Sequence, residues 1–542
     1  RSIYANNQTI VNTQSFYART ADGNAYINGQ PNTATLGTGL HVYGKNNKIT
    51  QAADLLAGGT GGVGIRVDGS ENKITIADAV QVRADGLNGT GVLFAYGSDQ
   101  ELNAQGTITA LGEGGVALRF DFGGNLLGNE TEYRGSYIWT SFDEKDVFNS
   151  YCYFDECSGE WSLAKKDNNG FEITNYGALM REVNITGTVA GSAAAVYISD
   201  NALVQEINVL PGAQIVGNII SNWDPDNEYI TAFVKENKNI DLTTDLIFGA
   251  ANTDRKFAMT LYGSIYGPES IDMNLTDGEL TVLGTTQTLS LSNNGKLSLL
   301  GSDANGYALK TQTISLGENS VLRLPSAANV SAESAKLDGT LTMLLPRAYY
   351  SNNQETKTSL KIKYNNKAES DFNTVKIDAL SPTLNITNLG SGSNANTGQT
   401  EYFASGKVYR NTDAYARYAD SIVAASTGYA LVHLADSADS PYADLISALD
   451  FSSLSGSSIR KALHSVSAES YSAAAQASLR LLNAQDRKLF YRQWADPVEE
   501  IYGTQIYGDV LYSAYDSDGA AWESDGYSAV IGADTKLTGA LT

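Results

Sequence analysis

Histidine is almost missing from this chain: His41, His433 and His464 are the three among 542 residues. Cysteine stops at two, Cys152 and Cys157. Nucleophilic catalysis needs a Ser or Cys within hydrogen-bond reach of a base, and none of the three histidines stands in such a motif. No Gly-x-Ser-x-Gly elbow occurs either. A zinc site wants about four ligands, and no histidine lies near the cysteine pair. Positive charge is short: 37 Lys and Arg against 60 Asp and Glu leave a net charge of −23. Phosphate binding wants clustered Lys and Arg, so nucleic acid is not expected as a partner, and no cofactor motif is present. No run of about twenty apolar residues exists, so no transmembrane helix is encoded. With 9 Pro and 4 Met, and with Gly at 52 and Tyr at 31, the composition favours a turn-rich β protein over a helical one.

Length alone would allow roughly three or four domains, but an internal repeat overrides that count. Gly39-Leu-His-Val-Tyr-Gly, Gly64-Ile-Arg-Val-Asp-Gly, Gly91-Val-Leu-Phe-Ala-Tyr-Gly and Gly115-Val-Ala-Leu-Arg-Phe-Asp follow one another at spacings of 25, 27 and 24. Asn47-Lys-Ile-Thr recurs as Asn72-Lys-Ile-Thr. A period in the twenties signals a solenoid. The fixed Leu ladder of leucine-rich repeats is absent, and short alternating strands separated by Gly, Asn and Asp predict an all-β, right-handed parallel β-helix. Ile65, Val67, Ile74 and Ile76 are expected inward, and Arg66, Lys73 and Thr75 outward. His41 occupies the outward position that Arg66 fills in the next copy. The β-helix is expected over 1–400, with an insertion at about 123–181 where the period breaks.

That insertion concentrates aromatic residues: Tyr137, Trp139, Phe142, Tyr151, Tyr153 and Trp161. Aromatic excursions from a uniform stem are where binding usually sits, so these six form the candidate interaction loop, weighed against a self-packed flap, which is the favoured reading. Cys152 and Cys157 are spaced for a small local disulfide in an oxidising compartment. The carboxylates Asp143, Glu144, Asp146, Asp155 and Glu156 are read as a solvated acidic loop rather than a sugar-cleaving pair. Asn222-Trp-Asp-Pro-Asp-Asn-Glu is read as a second polar loop, and the Gly/Ser/Asn tract at 390–398 as a flexible loop or linker. Residues 401–455 are expected to cap the open end of the coils, whose unpaired edge invites aggregation.

A helix-like run then extends over 458–490, inside a linker expected at 456–495. Tyr471, Ala475, Leu479, Leu482 and Leu489 recur at spacings of three, four and seven, giving one apolar face, and Asp496-Pro497 ends it. Two alternating strands follow within 496–542, with Asp516-Ser-Asp-Gly as the turn between them; the closing Glu of a calcium loop is missing. The order Ser-Ala-Glu-Ser-Tyr-Ser-Ala-Ala, long helix, Trp494, and Tyr-Asp-Ser-Asp-Gly to Gly-Ala-Asp resembles the junction of bacterial autotransporters. There a helix enters the pore of an outer-membrane β-barrel, and everything upstream is exported cargo, the passenger.

The resemblance implies a cell-surface passenger, anchored in the outer membrane or released by cleavage. It implies partners in the outer membrane, the barrel-assembly machinery and a ligand on a host or bacterial surface. It also makes 456–495 the pore helix and 496–542 the truncated start of the barrel. Neither end looks natural: Arg1 has no signal peptide before it, and two strands cannot close a barrel, so the chain is read as a fragment. The stem repeats are also similar to segments that follow a subtilisin-like domain in some autotransporters. The alternative is therefore the stalk and anchor of a larger secreted serine protease whose catalytic domain precedes residue 1. No catalytic, cofactor or metal residue is expected within the chain itself.

Overall fold

The computed structural model describes residues 2–19, 26–27, 30–31, 37–121, 131–133, 139–141, 152–155, 160–163, 178–200, 202–225, 241–249, 256–467, ten positions between 475 and 487, 503–516 and 523–536. Contacts gather into two units. The first comprises residues 1–344, 358–376 and 390–404, and the second comprises 345–357, 377–389 and 405–542.

The first unit is a parallel β-solenoid. One ladder climbs through Thr38–Tyr43, Val63–Asp68, Thr90–Tyr96, Val116–Phe120, Ala194–Ile198 and Ile219–Ser221, every step parallel. A second passes through Thr9–Asn12, Lys48–Gln51, Lys73–Ile76, Gln100–Ala104, Met180–Ile185, Glu206–Val209 and Thr244–Phe248. A third holds Leu55–Gly58, Gln81–Arg83, Thr107–Ala110, Thr188–Gly191 and Gln214–Val216. From Ile265–Leu275 onward the first two ladders run through single long strands, stacked on Thr286–Asn293, Tyr307–Leu316 and Asn329–Lys336. Beside them Glu279–Val282, Lys296–Leu299, Val321–Pro325 and Thr340–Leu344 continue in parallel.

The expected inward set holds. Ile65, Val67, Ile74 and Ile76 are fully buried, while Arg66, Lys73 and Thr75 keep partial exposure. Each buried aliphatic side chain contributes about 1.5–3 kcal/mol relative to exposure. Phe94 and Phe120 stack in the core with ring centroids 5.7 Å apart. His41 pairs in register with Arg66, as the repeat alignment requires.

The repeat-leading glycine has a steric cause. A Cβ on Gly64 would lie 2.4 Å from the Gly91 carbonyl oxygen and 2.5 Å from Val82 Cγ1. The repeat-closing glycine has a conformational one: Gly69 turns at φ +120°, with the Gly44 oxygen 1.9 Å from where a Cβ would stand. The recurring asparagine is a buried amide ladder. Asn47 and Asn72 are fully buried, Asn47 Nδ2 donates to Asn72 Oδ1 at 2.9 Å, and Asn72 Nδ2 donates to the Gly44 oxygen at 2.9 Å. These bonds satisfy turn groups that burial would otherwise leave unpaired.

Among the described residues the second unit includes the helices α1 (Ile422–Leu434), α2 (Ala443–Asp450) and α3 (Ser457–Val466). Ser421 caps α1, its side chain accepting from the Ala424 N–H at 3.0 Å. Gly456 opens α3 from the left-handed region, at φ +72°. Ala414, Tyr415, Ala424, Leu431, Val432, Leu449, Ile459 and Leu463 form their shared core.

Two expectations are corrected here. The 390–398 tract is not a linker: strand Leu384–Asn396 runs through it, and Gly398, at φ +76°, turns the chain into strand Gln399–Arg410. Composition signalled flexibility, but a neighbouring strand with Tyr402, Ala404 and Val408 buried supplies the ladder that orders it. The helix-like run is also not continuous from 458. α3 ends at Val466, and its C-cap Ser467 turns extended (ψ 155°) while its hydroxyl donates to the His464 oxygen at 3.1 Å. Ser and β-branched Val near that point weaken helix propensity.

Candidate interaction faces

Described parts of the insertion form two antiparallel pairs. Thr131–Tyr133 meets Trp139–Ser141, with Tyr133 opposite Trp139. Cys152–Asp155 meets Glu160–Leu163, placing Cys152 opposite Leu163, Tyr153 opposite Ser162 and Phe154 opposite Trp161. Tyr137, Phe142, Tyr151 and Cys157 lie outside the described residues, and so does the expected Cys152–Cys157 bridge. Of the expected pore-helix face, Ala475, Leu479 and Leu482 are helical and exposed, Leu479 by 60% and Leu482 by 56%. Tyr471 and Leu489 lie outside the described residues.

On the solenoid, the first ladder presents an outward column running His41, Arg66, Leu93, Arg119, Tyr197, Ile220 and Tyr266. Arg66 Nε donates to Asp68 Oδ2 at 2.9 Å, and His41 Nε2 lies 2.5 Å from the same oxygen. Burial works to raise the Asp68 carboxyl, but the Arg66 charge and the His41 hydrogen bond outweigh it and hold it below the usual carboxylate range. The same pattern recurs at Arg119, which donates to Asp121 and lies 5.2 Å from the centroid of the Tyr197 ring.

The second ladder presents a column of carboxylates. Glu101 pairs with Glu182, Glu206 with Asp245, and Asp245 with Asp272; Val183 opposite Ile207 puts Glu182 and Glu206 on the same column. Rungs of a ladder stand about 4.8 Å apart, so these charges repel. Lys73 and Arg181 neutralise Glu101. Asn184 and Asn208 donate to Glu182 and Glu206 at 2.8 and 2.5 Å. Partial burial, then Asp241, Asp272 and Glu206, raise the Asp245 carboxyl. Sequence reasoning missed this column, because the positions 182, 206, 245 and 272 have no constant spacing and only the register aligns them. It also missed Trp223, read as part of a polar loop. That side chain is 1% exposed and donates to the Leu242 oxygen at 2.8 Å.

The strands Gly503–Asp516 and Glu523–Lys536 form a 14-pair antiparallel ladder. Its register sorts the sequence onto two faces. Ile506 opposite Ala533, Gly508 opposite Ile531, Val510 opposite Ala529 and Tyr512 opposite Tyr527 fall on one face. Gln505 opposite Asp534, Asp509 opposite Val530, Leu511 opposite Ser528 and Ser513 opposite Gly526 fall on the other. From Ile506 to Tyr512 the first face carries no charged residue, and beyond that tyrosine pair it turns acidic at Asp525, Asp516 and Glu523; the second mixes Gln505, Asp534, Asp509 and Ser528 with Tyr507, Leu511 and Val530. Among the described residues, no helix is long and apolar enough to cross a membrane, which leaves strand-based crossing open. No protein-family model, curated protein or solved structure matches this chain.

Proposed function

We propose that this chain is the surface-displayed stem of an autotransporter, joined through a linker at 456–495, whose stretch beyond Ser467 enters the pore, to the first strands of its outer-membrane barrel. The coil is right-handed, as parallel crossovers are in nearly all cases. The stem holds the aromatic insertion away from the cell, where it meets a host or bacterial surface ligand, and the chain itself performs no catalysis.

The two-faced register of the 503–536 ladder carries this reading. Nine residues, Thr504 to Tyr512, span about 30 Å of strand, or roughly 22 Å of bilayer at a tilt near 45°. An apolar outer face bounded by aromatic residues, against a polar lumen face, is the pattern of an outer-membrane strand. A solenoid stem upstream and an exposed apolar helical face between them fit the same order.

The test uses the full-length protein in a double-membraned bacterium, with protease added outside intact cells. Val510→Asp should abolish membrane insertion and display of the solenoid, while Ser513→Asp, on the opposite face, should leave display near normal. Equal behaviour of the two variants, or a wild-type solenoid out of reach of external protease, would overturn the proposal.

A further inference from the structure

Arg410 and Asp450 form an ion pair with both side chains fully buried. They lie in the second unit, forty residues apart, at the end of strand Gln399–Arg410 and at the last residue of α2. The guanidinium is used from every side. Its Nε donates to Tyr415 Oη at 3.1 Å and Asp450 Oδ1 at 3.2 Å, Nη1 donates to Asn352 Oδ1 at 2.9 Å, and Nη2 donates to the Tyr350 oxygen at 2.8 Å and to Asp450 Oδ2. The carboxylate is equally committed. Asp450 Oδ1 also accepts from Tyr415 Oη and from Thr383 Oγ1, each at 2.6 Å, and Ser381 donates to the Asp450 backbone oxygen. Asn352 in turn donates to the Val432 oxygen at 3.1 Å, which ties in the end of α1.

A buried charge with one partner removed is strongly unfavourable, whereas an apolar pair of similar volume in the same place is often neutral. The strand end at Arg410 therefore has no stable buried position until Asp450 arrives, and α2 has none for Asp450 until Arg410 arrives. The Tyr350–Asn352 and Ser381–Thr383 segments have the same dependence, because their polar groups face the pair.

We propose that Arg410–Asp450 is a co-folding lock. It makes the segments around 350, 382, 410 and 450 order in one step, so the strands of this unit are completed only once the chain as far as α2 is in place. The device needs no ligand and is independent of the surface-display reading.

Hydrogen exchange on the full chain tests it, resolved by segment, with solenoid residues 37–121 as the internal control. Asp450→Asn and Arg410→Met should each speed exchange on the order of 10²–10³-fold together in 345–357, 377–389, 405–434 and 443–466, with the control unchanged. The double variant Arg410→Met with Asp450→Leu should be better protected than either single one in all four segments, short of the wild type because Tyr415, Asn352, Tyr350 and Thr383 lose their partners. Loss confined to 443–450, or no loss at all, would overturn the lock. A double variant no better protected than either single one would overturn the charge pair as its cause. Thr383→Val, which removes one of several bonds to Asp450, should raise exchange in the same four segments by a smaller common factor; an effect limited to 377–389 would count against the proposal.

Discussion

At the residue scale the solenoid is governed by close approach and by amides that follow the chain from coil to coil. Gly64→Val forces a side chain into the Gly91 carbonyl and Val82. It should cost about 1–3 kcal/mol in denaturant unfolding, the usual range for overpacking. Asn72→Ala removes the donor to Gly44 and leaves Asn47 half-satisfied, with an expected loss of about 1–3 kcal/mol. The carboxylate column gives a pH-dependent outcome. Asp245 has a raised folded-state pKa, so its ionised form costs stability at neutral pH and that cost is relieved as pH falls. Asp245→Asn should stabilise the protein at pH 7 by less than about 1 kcal/mol, the scale of partly exposed charge interactions. The gain should vanish below about pH 4, near the ordinary carboxylate value. Denaturation midpoints at pH 7 and pH 3.5 check both halves of the expectation.

At the element scale, strand identity proved easier to read than helix extent. The alternation Lys73-Ile-Thr-Ile is visible in sequence and appears as strand Lys73–Ile76 with Ile74 and Ile76 buried. The helices α1 and α2 were hidden in a stretch whose composition says only that Ala and Tyr are abundant. α1 is apolar on nearly all sides, with Ile422 87% and Tyr429 49% exposed, so it lacks the stripe that marks an ordinary surface helix. Its start rests on a cap rather than on periodicity. Ser421→Ala should lower the stability of the second unit by about 1 kcal/mol, read as faster hydrogen exchange in α1 with the solenoid unchanged. The 390–398 tract shows the converse error, because Gly, Ser and Asn become strand when a neighbouring strand offers hydrogen bonds.

At the scale of the whole molecule the solenoid behaves as a stack in which each coil completes the next. Val67 and Leu299 are both fully buried in the coil interior. Val67→Asp or Leu299→Asp would bury an unpaired carboxylate, a cost of several kcal/mol, and should open protease sites in the neighbouring coils as well as in the substituted one. Cleavage confined to the substituted coil would mean that coils fold independently. Charge at this scale is an acidic background on which the carboxylate column of the second ladder stands out as a continuous stripe.

The sequence by itself determined the local plan of the coils: the strands, the inward and outward positions, and the glycine and asparagine turns. Those depend on a period of two within each strand and of about twenty-five between copies, and both are written in the order of residues. The tertiary structure alone decided what lies beside what. Chain insertions of unequal length separate Glu182, Glu206, Asp245 and Asp272, and only parallel register stacks them into one column. Arg410 and Asp450 share no motif, and only the packing of α2 against the end of a strand makes them a buried pair. Short-range pattern fixes where a side chain faces, while its partners depend on how much chain is looped out between one coil and the next.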